Sequence, residues 1–429
     1  MSNSNVCCSR NEEYAKIINA ELVPATGCTE PIALAYAAAK ARAALGALPE
    51  KCTVEASGNI IKNVKSVVVP NTNGLKGIEI AAAAGIVAGD ENAELQVIAK
   101  VSEEQKKEMA EYEKAHPIKV VPALNGIVFY ISVVAEAGGH SVRVTIKDGH
   151  TNIVLIERDG EILFEKKDGP QAQGKSELRY DLLNVKDIIE YAKEADLSLV
   201  RDALDRQIEC NYAIARDGIE NDWGANVGST LLKSGSDLRT RAKAMAAAGS
   251  DARMNGCEKP VIIVSGSGNQ GMAASLPVIE YAKGLGKSHD ELLRALLVSD
   301  LITALQKRSI GKLSAFCGAV SAGCGAACGI AFLLGYGYDE ISHLIVNALG
   351  TMAGMVCDGA KSSCASKIAM AVEAGLLGLD MYLNEKNGLQ PGEGIVGCDV
   401  EKTIANVGRM ASLGMRDTDA EILSIMTES

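Results

Sequence analysis

The apolar residues near the amino terminus recur at helical spacing. One helical face is formed by residues at positions i, i+3, i+4 and i+8: Tyr14, Ile17, Ile18 and Leu22. Pro24 ends this predicted helix, because proline cannot continue the helical hydrogen-bond ladder. An alanine-rich run from Ile32 to about Leu45 predicts a second helix, and residues 78–88 predict a third.

The apolar pattern becomes strand-like from about Glu94. Six short runs rich in β-branched residues follow: Leu95–Val101, Ile118–Val121, Ile127–Val134, Val142–Ile146, Ile153–Glu157 and Ile162–Phe164. Glycine-containing turns such as Lys147–His150 and Arg158–Gly160 separate them and predict an antiparallel meander. The polar stretch Lys166–Ser176 is typical of a linker. The rest of the chain is helical in pattern, apart from one predicted strand at Pro260–Val264.

These patterns predict an α+β fold that is mainly α-helical, with an inserted antiparallel β-sheet subdomain. We expect a helical segment at 1–88, a β-rich subdomain at 89–169, and a helical domain at 170–429 that packs with the first segment. One uncharged stretch of 26 residues, Leu313–Tyr338, is long enough to cross a bilayer. Because it is rich in Gly, Ala, Cys and Ser, we predict a buried pair of closely packed helices instead.

Composition narrows the classes of function. The chain of 429 residues has 43 Lys and Arg against 54 Asp and Glu, a net charge of −11, and no basic run. This argues against a protein that binds nucleic acid or an anionic membrane. With 43 Gly and 4% aromatic residues, we expect closely packed helices, whose small-residue faces favour a homodimer. Twelve cysteines are too sparse for a disulfide scaffold, and the amino terminus lacks a signal-peptide pattern, so we predict a reducing cytoplasm.

Five cysteines fall within 48 residues in a glycine-rich helical context: Cys317, Cys324, Cys328, Cys357 and Cys364. Thiolates on small-residue turns suit a soft metal or an iron–sulfur cluster. Zinc is less favoured, because this region has neither a close Cys-x2-Cys pair nor a histidine at zinc-finger spacing. The alternative is that these cysteines are small buried hydrophobes, which fits Cys324 and Cys328 best.

Cys28 lies at the mouth of the alanine-rich helix. The unpaired N–H groups and the positive end of the helix dipole there stabilise a thiolate and lower its pKa. Cys28 is therefore a candidate base or nucleophile. The alternative is a cysteine of a capping loop that takes no part in chemistry.

A glycine-rich loop, Ser-Gly-Ser-Gly-Asn-Gln-Gly, spans Ser265–Gly271 between the predicted strand and a helix. It satisfies the Gly-x-Gly-x-x-Gly pattern, but the second strand with an acidic residue that dinucleotide binding requires does not follow. We therefore predict a carboxylate or phosphate site at a helix amino terminus, the alternative being a structural turn. The candidate contacts are Ser265, Ser267, Gly268 and Asn269. Asn63 and His150 are weaker candidates for orienting a substrate, and each could equally serve a turn.

Four segments, taken in order, resemble the iron–sulfur L-cysteine desulfidases, which are related to the alpha-type domain of iron–sulfur L-serine dehydratases. The segments are Pro24–Pro31, the Ser-Gly-Ser-Gly loop, Phe316–Gly323 and Met355–Cys364. The resemblance implies a helical core in which three cysteines hold a [4Fe-4S] cluster and leave one iron open. Matched by motif, these are Cys317, Cys357 and Cys364. Cys28 matches the proposed catalytic thiol, whereas Cys324 and Cys328 match no ligand position.

The activity that this resemblance implies is β-elimination of L-cysteine to hydrogen sulfide, pyruvate and ammonia, with the open iron as Lewis acid. Three alternatives remain. An iron–sulfur L-serine or L-threonine dehydratase differs only in the leaving group. A pyridoxal-phosphate lyase would use the glycine-rich loop for phosphate and Lys361 or Lys367 for the Schiff base. A non-enzymatic cluster carrier would bind all four irons through protein ligands, with a role for Cys324 or Cys328.

Overall fold

The computed structural model of the protein describes residues 2–166, 178–311 and 313–428, so the predicted linker lies outside the described residues except for Lys166. The helices in this part of the chain are α1 (Ser2–Glu21), α2 (Thr29–Leu45), α3 (Gly58–Val64), α4 (Ile78–Ala88), α5 (Glu103–Ala115), α6 (Val185–Glu194), α7 (Arg201–Glu220), α8 (Val227–Ser234), α9 (Leu238–Met254), α10 (Gly268–Gly284), α11 (His289–Ile310), α12 (Gly318–Leu333), α13 (Tyr338–Met352), α14 (Cys364–Glu385), α15 (Val400–Arg409) and α16 (Arg416–Glu428). The strands are β1 (Pro24–Thr26), β2 (Lys51–Ala56), β3 (Lys119–Pro122), β4 (Tyr130–Ala137), β5 (His140–Lys147), β6 (Ile153–Arg158), β7 (Glu161–Glu165) and β8 (Pro260–Ile262). The predicted α+β class, mainly α-helical, is confirmed.

The alanine-rich helix α2 begins at Thr29, earlier than the predicted Ile32, because Pro31 is tolerated in the first turn of a helix. It ends at Leu45. The next residue, Gly46, has a positive φ of 76°, which lets its N–H donate to the carbonyl oxygen of Arg42. The helix is buried along most of its length, between α4 and the strands β4 and β5. It therefore carries its amino end, with Cys28 directly before it, into the interior.

Six strands form one mixed sheet in the order β3-β2-β4-β5-β6-β7. Four pairings are antiparallel, and the three that join β4, β5, β6 and β7 follow the predicted meander. In contrast, β2 and β3 run parallel, with Val54 opposite Val120. These two strands are parallel because the helices α3 to α5 connect them as a crossover. Since β2 comes from the predicted first segment, residues 1–88 and the residues after them build this sheet jointly.

The predicted strand at Leu95–Val101 is wrong. Glu94–Gln96 forms a single 3-10 turn, and α5 begins shortly afterwards at Glu103. Ser102 caps α5, because its hydroxyl accepts from the N–H of Gln105 while the Gln105 side chain accepts from the N–H of Ser102. Leu95, Val97 and Ile98 are still buried, since a short apolar run fits a buried turn as well as a strand.

The glycine-rich helix α12 packs against α10, α11, α13 and α14. A Cβ atom on Gly323 would lie 2.5 Å from the carbonyl carbon of Ala371 in α14, and one on Gly325 would lie 2.6 Å from the carbonyl oxygen of Ser299 in α11. The helix backbones therefore touch, as the glycine content predicts. Among the described residues, no helix is long and apolar enough to cross a membrane.

Replacing Gly323 with alanine is expected to lower the free energy of unfolding by about 1–3 kcal/mol, because the added Cβ forces α12 and α14 apart. The helix propensity gained from alanine, about 1 kcal/mol, opposes this loss only in part. Urea denaturation followed by circular dichroism measures the change. Gly354→Ala is the matched control, since no atom of the described residues, apart from its two chain neighbours, lies within 4 Å of its Cβ position. Equal stability of the two variants would contradict the close packing of α12.

Candidate active site

Two short strands hold the start of α2 beside the glycine-rich loop that opens α10. β1 pairs antiparallel with β8, with Ala25 opposite Val261. In the first turn of α2, Thr29 Oγ1 donates a hydrogen bond of 3.0 Å to the carbonyl oxygen of Gly266. Residues 237 positions apart in sequence therefore meet at the amino ends of two helices.

The three cysteines predicted as metal ligands converge on one side of these helix ends. The N–H of Cys317 donates to the carbonyl oxygen of Met355 over 3.0 Å, and that of Cys357 donates to Ala315 over 2.6 Å. Cys364 is the first residue of α14. Burial raises the pKa of the Cys317 and Cys364 thiols, and the neighbouring Cys357 raises both further. All three side chains therefore lie close enough to influence one another.

Most of the predicted site residues line a single cavity of about 100 Å³. Those on its wall are Cys28, Asn63, His150, Ser267, Asn269, Cys317, Cys357 and Cys364. Gly268 is not among the described residues that line the cavity, but it contacts one that does: a Cβ atom on Gly268 would be 2.5 Å from Nε of Arg253. Ser265 lines a neighbouring cavity of about 610 Å³, which shares His150, Gly266 and Lys307 with the first.

The donor set, three cysteine thiols, has the chemistry of an iron–sulfur site. Among the described residues, no three His, Cys, Asp or Glu side chains are placed to hold one ion. Thiolates that hold a cubane cluster lie at its corners and therefore stand farther apart than the ligands of one ion. The small residues Gly318, Ala319 and Ala360 line the same cavity and leave room for such a group.

Lys307 adds a buried cation next to two of these cysteines. Its side chain is buried, and burial lowers its pKa to about 8, while Cys357 and Cys317 act in the opposite direction. A cation in this place offsets the negative charge of bound thiolates. Nothing in the local sequence around Lys307 identified it as a site residue.

Cys28 is a buried thiol, and its Sγ donates a hydrogen bond of 3.1 Å to Glu30 Oε2. Burial raises the pKa of Cys28 well above its usual value, and the Glu30 carboxylate raises it further, whereas Arg253 lowers it. The lowered pKa expected at the helix end is therefore wrong. Burial and the neighbouring carboxylate outweigh the dipole of α2.

Glu30 connects Cys28 to two further predicted residues. Its Oε1 accepts a hydrogen bond of 3.2 Å from Asn63 Nδ2 and lies 3.9 Å from His150 Nε2. Burial acts to raise the pKa of the Glu30 carboxyl, but His150 and Cys28 outweigh burial and lower it to about 2. Sequence reasoning assigned Glu30 no role. Its position in the first turn of α2, where carboxylates are favoured, was the available signal.

Several buried polar atoms around the cavity have no hydrogen-bond partner in the part of the chain that the structure describes. They are Asn63 Oδ1, His150 Nε2, Asn269 Oδ1 and Gln270 Oε1. Because each such atom costs about 1–3 kcal/mol when left unpaired, their concentration at one cavity indicates a polar ligand.

The residues that two alternative functions require are not among the described residues that line the cavity. Lys361 and Lys367 both pair with Asp358, and neither is among the described residues that line the cavity. Burial would raise the pKa of Asp358, but the two lysines outweigh it and lower it to about 2. Cys324 and Cys328 are buried within α12 and are also absent from that lining.

The sequence model of a family described as serine dehydratase alpha chain matches residues 92–424. The chain therefore belongs to this family of lyase-type enzymes, which is generally associated with iron–sulfur centres.

The chain is also similar, over nearly its whole length, to proteins named UPF0597 protein. The one from Desulfitobacterium hafniense is 55% identical over 97% of this chain and 96% of its own. That of Lachnoclostridium phytofermentans is 49% identical over 96% of this chain and 98% of its own. That of Fusobacterium nucleatum is 44% identical over 97% of this chain and 99% of its own.

Proposed function

We propose that the protein is an L-cysteine desulfidase, which converts L-cysteine and water to hydrogen sulfide, pyruvate and ammonia. The observation that carries this proposal is that Cys28 and three further cysteines line one small cavity. Membership of the serine dehydratase alpha chain family supports a lyase that acts on a small amino acid. The pairing of both candidate Schiff-base lysines with Asp358 favours this reaction over a pyridoxal-phosphate mechanism.

In this proposal Cys317, Cys357 and Cys364 would hold a [4Fe-4S] cluster. When bound, the cluster would supply a Lewis acid for the leaving group. Binding requires the three thiols to lose their protons, and Lys307 offsets part of the resulting negative charge. Phe316 also lines this side of the cavity and helps to exclude water.

Cys28 removes the α-proton of the substrate. Its own thiol proton has to leave first. Because the pKa of Glu30 lies far below that of Cys28, Glu30 Oε2, 3.1 Å from Sγ, accepts this proton only transiently and has to pass it on. His150 lies beside Glu30 and lines both cavities, so it can pass this proton outwards. The thiolate of Cys28 then takes the proton from Cα while sulfide leaves from Cβ. The resulting aminoacrylate hydrolyses to pyruvate and ammonia.

The loop Ser265–Asn269 positions the substrate. No side chain of the described residues caps the amino end of α10, so its N–H groups can bind an anionic group. Asn63 is oriented by the bond from its Nδ2 to Glu30, which leaves its Oδ1 to accept a hydrogen bond from the substrate.

The substrate preference separates the desulfidase from a serine dehydratase. A thiolate leaving group suits the iron of a cluster better than a hydroxyl group does, because the thiolate and this iron are both soft. We therefore expect the anaerobically purified protein to have a higher kcat/KM for L-cysteine than for L-serine. Pyruvate formation, measured with both substrates under the same conditions, makes the comparison. A higher kcat/KM for L-serine would contradict the desulfidase assignment and indicate a dehydratase.

Replacing Glu30 with glutamine is expected to lower kcat for L-cysteine by about 10²- to 10⁴-fold with little change in KM, because an amide cannot accept the proton of Cys28. Steady-state sulfide release measures both constants. Glu280→Gln is the matched control, since Glu280 is also buried but lies 3.6 Å from Arg241, outside the cavity. A kcat within threefold of the unaltered protein would show that Glu30 is not the proton acceptor.

A further inference from the structure

Arg253 is a buried cation of the cavity that the steps above leave without a role. Its side chain is 2% exposed and lines the cavity near the end of α9. Its Nε donates a hydrogen bond of 3.0 Å to the carbonyl oxygen of Gly27. Within residues 2–166, 178–311 and 313–428, no carboxylate pairs with its guanidinium.

The guanidinium lies between the catalytic thiol and the start of α10. It is close enough to Cys28 to act on the charge of that thiol. A Cβ atom on Gly268 would lie 2.5 Å from Nε and 2.8 Å from Cζ of Arg253. Glycine at this position therefore allows the guanidinium to reach the first turn of α10, where N–H groups also favour an anion.

The charges around the cavity do not balance. Arg253 and Lys307 are both buried cations, and the one carboxylate on the described cavity wall is Glu30. Glu30 already accepts hydrogen bonds from Cys28 and Asn63. A buried charge without a counter-charge is unfavourable, so the cavity is built for anionic ligands. Lys307 lies beside Cys317 and Cys357, whereas Arg253 lies beside Cys28.

We propose that Arg253 binds the α-carboxylate of the substrate through its two Nη groups. The proposed function supplies one premise, namely that the ligand is an α-amino acid. A guanidinium matches a carboxylate with two parallel hydrogen bonds. The unpartnered oxygens Asn63 Oδ1 and Gln270 Oε1 on the same cavity can accept hydrogen bonds from an α-ammonium group. Arg253 therefore selects zwitterionic amino acids over amines that lack the carboxylate.

L-Alanine and L-alaninamide test this proposal, because they differ in the carboxylate and lack a leaving group. Isothermal titration of the anaerobically purified protein should show that L-alanine binds at least about 30-fold more tightly. In Arg253→Gln the two affinities should come within about threefold of each other. Arg294→Gln is the matched control and should keep the preference, since that guanidinium donates to the carbonyl oxygens of Ala192 and Ala195 and is not among the described residues that line the cavity.

The unaltered protein alone can overturn the proposal, whether or not Arg253→Gln folds. Undetectable binding of L-alanine, or equal affinity for the two ligands, would do so. Arg253→Gln with the full preference retained would also overturn it.

Sulfide release from L-cysteine, measured in parallel, separates this inference from the proposed function. A preference for the carboxylate that depends on Arg253, without any sulfide release, contradicts the desulfidase function and supports the inference. Sulfide release with an unchanged kcat/KM in Arg253→Gln contradicts the inference and supports the function.

Discussion

Cys28→Ser should release sulfide from L-cysteine at least about 100-fold more slowly than the unaltered protein, because a hydroxyl group is far too weak an acid to form the required base. Serine keeps the size of the side chain and can still donate a hydrogen bond to Glu30. Since Cys28 is not one of the three proposed ligands, the iron content should stay the same. Initial rates and iron content, both determined anaerobically, check the two parts of this prediction.

Cys210→Ser is the matched control for this experiment. Cys210 is a half-buried thiol on α7 and is not among the described residues that line the cavity. This variant should keep nearly the full rate. If Cys28→Ser kept more than about a third of the rate, the base would have to be another group. If it lost iron instead, Cys28 would be a ligand of the cluster.

Single replacement of Cys317, Cys357 or Cys364 with serine should remove the cluster. We expect the iron content to fall from about four atoms per chain to below about one, together with the loss of sulfide release. Each thiol contributes one of only three protein ligands in the proposed site, so the loss of any one of them should release the cluster. Iron and acid-labile sulfide analysis of the anaerobically purified variants measures the effect.

Cys324→Ser is the control here, because Cys324 is a buried thiol of the neighbouring helix α12. It should keep all of its iron. If Cys324→Ser or Cys328→Ser also lost iron, protein ligands would hold all four irons, as expected of a cluster carrier. A pyridoxal absorption band in place of iron would indicate the pyridoxal-phosphate lyase.

The helical part of the fold could be predicted because its signals are local. The alanine-rich composition predicts α2, and Pro24 predicts the end of α1. Neither prediction needs any tertiary information. The sheet was harder to predict, since β2 and β3 pair across a crossover of three helices and Leu95, Val97 and Ile98 are buried without forming a strand. Strand pairing and burial of this kind depend on contacts that lie far apart in sequence.

Some residues of the site could be predicted from the sequence, and others could not. Cys28, Cys317, Cys357 and Cys364 stand in recognisable motifs, and the structure places all four on one cavity wall. Arg253 and Lys307 also line it but lie in ordinary helical sequence, and tertiary packing such as that of α9 against α10 brings Arg253 to the cavity. The raised pKa of Cys28 could not be predicted either, because burial is a property of the folded chain.

The central claim is that this protein uses an iron–sulfur site to eliminate sulfide from L-cysteine. The most direct test measures iron, acid-labile sulfide and the products formed from L-cysteine on one anaerobic preparation. The account predicts about four irons per chain, with sulfide and pyruvate released in equal amounts. Four irons without sulfide release would contradict the assignment of the substrate, and a protein that releases sulfide without iron would contradict the assignment of the cysteines.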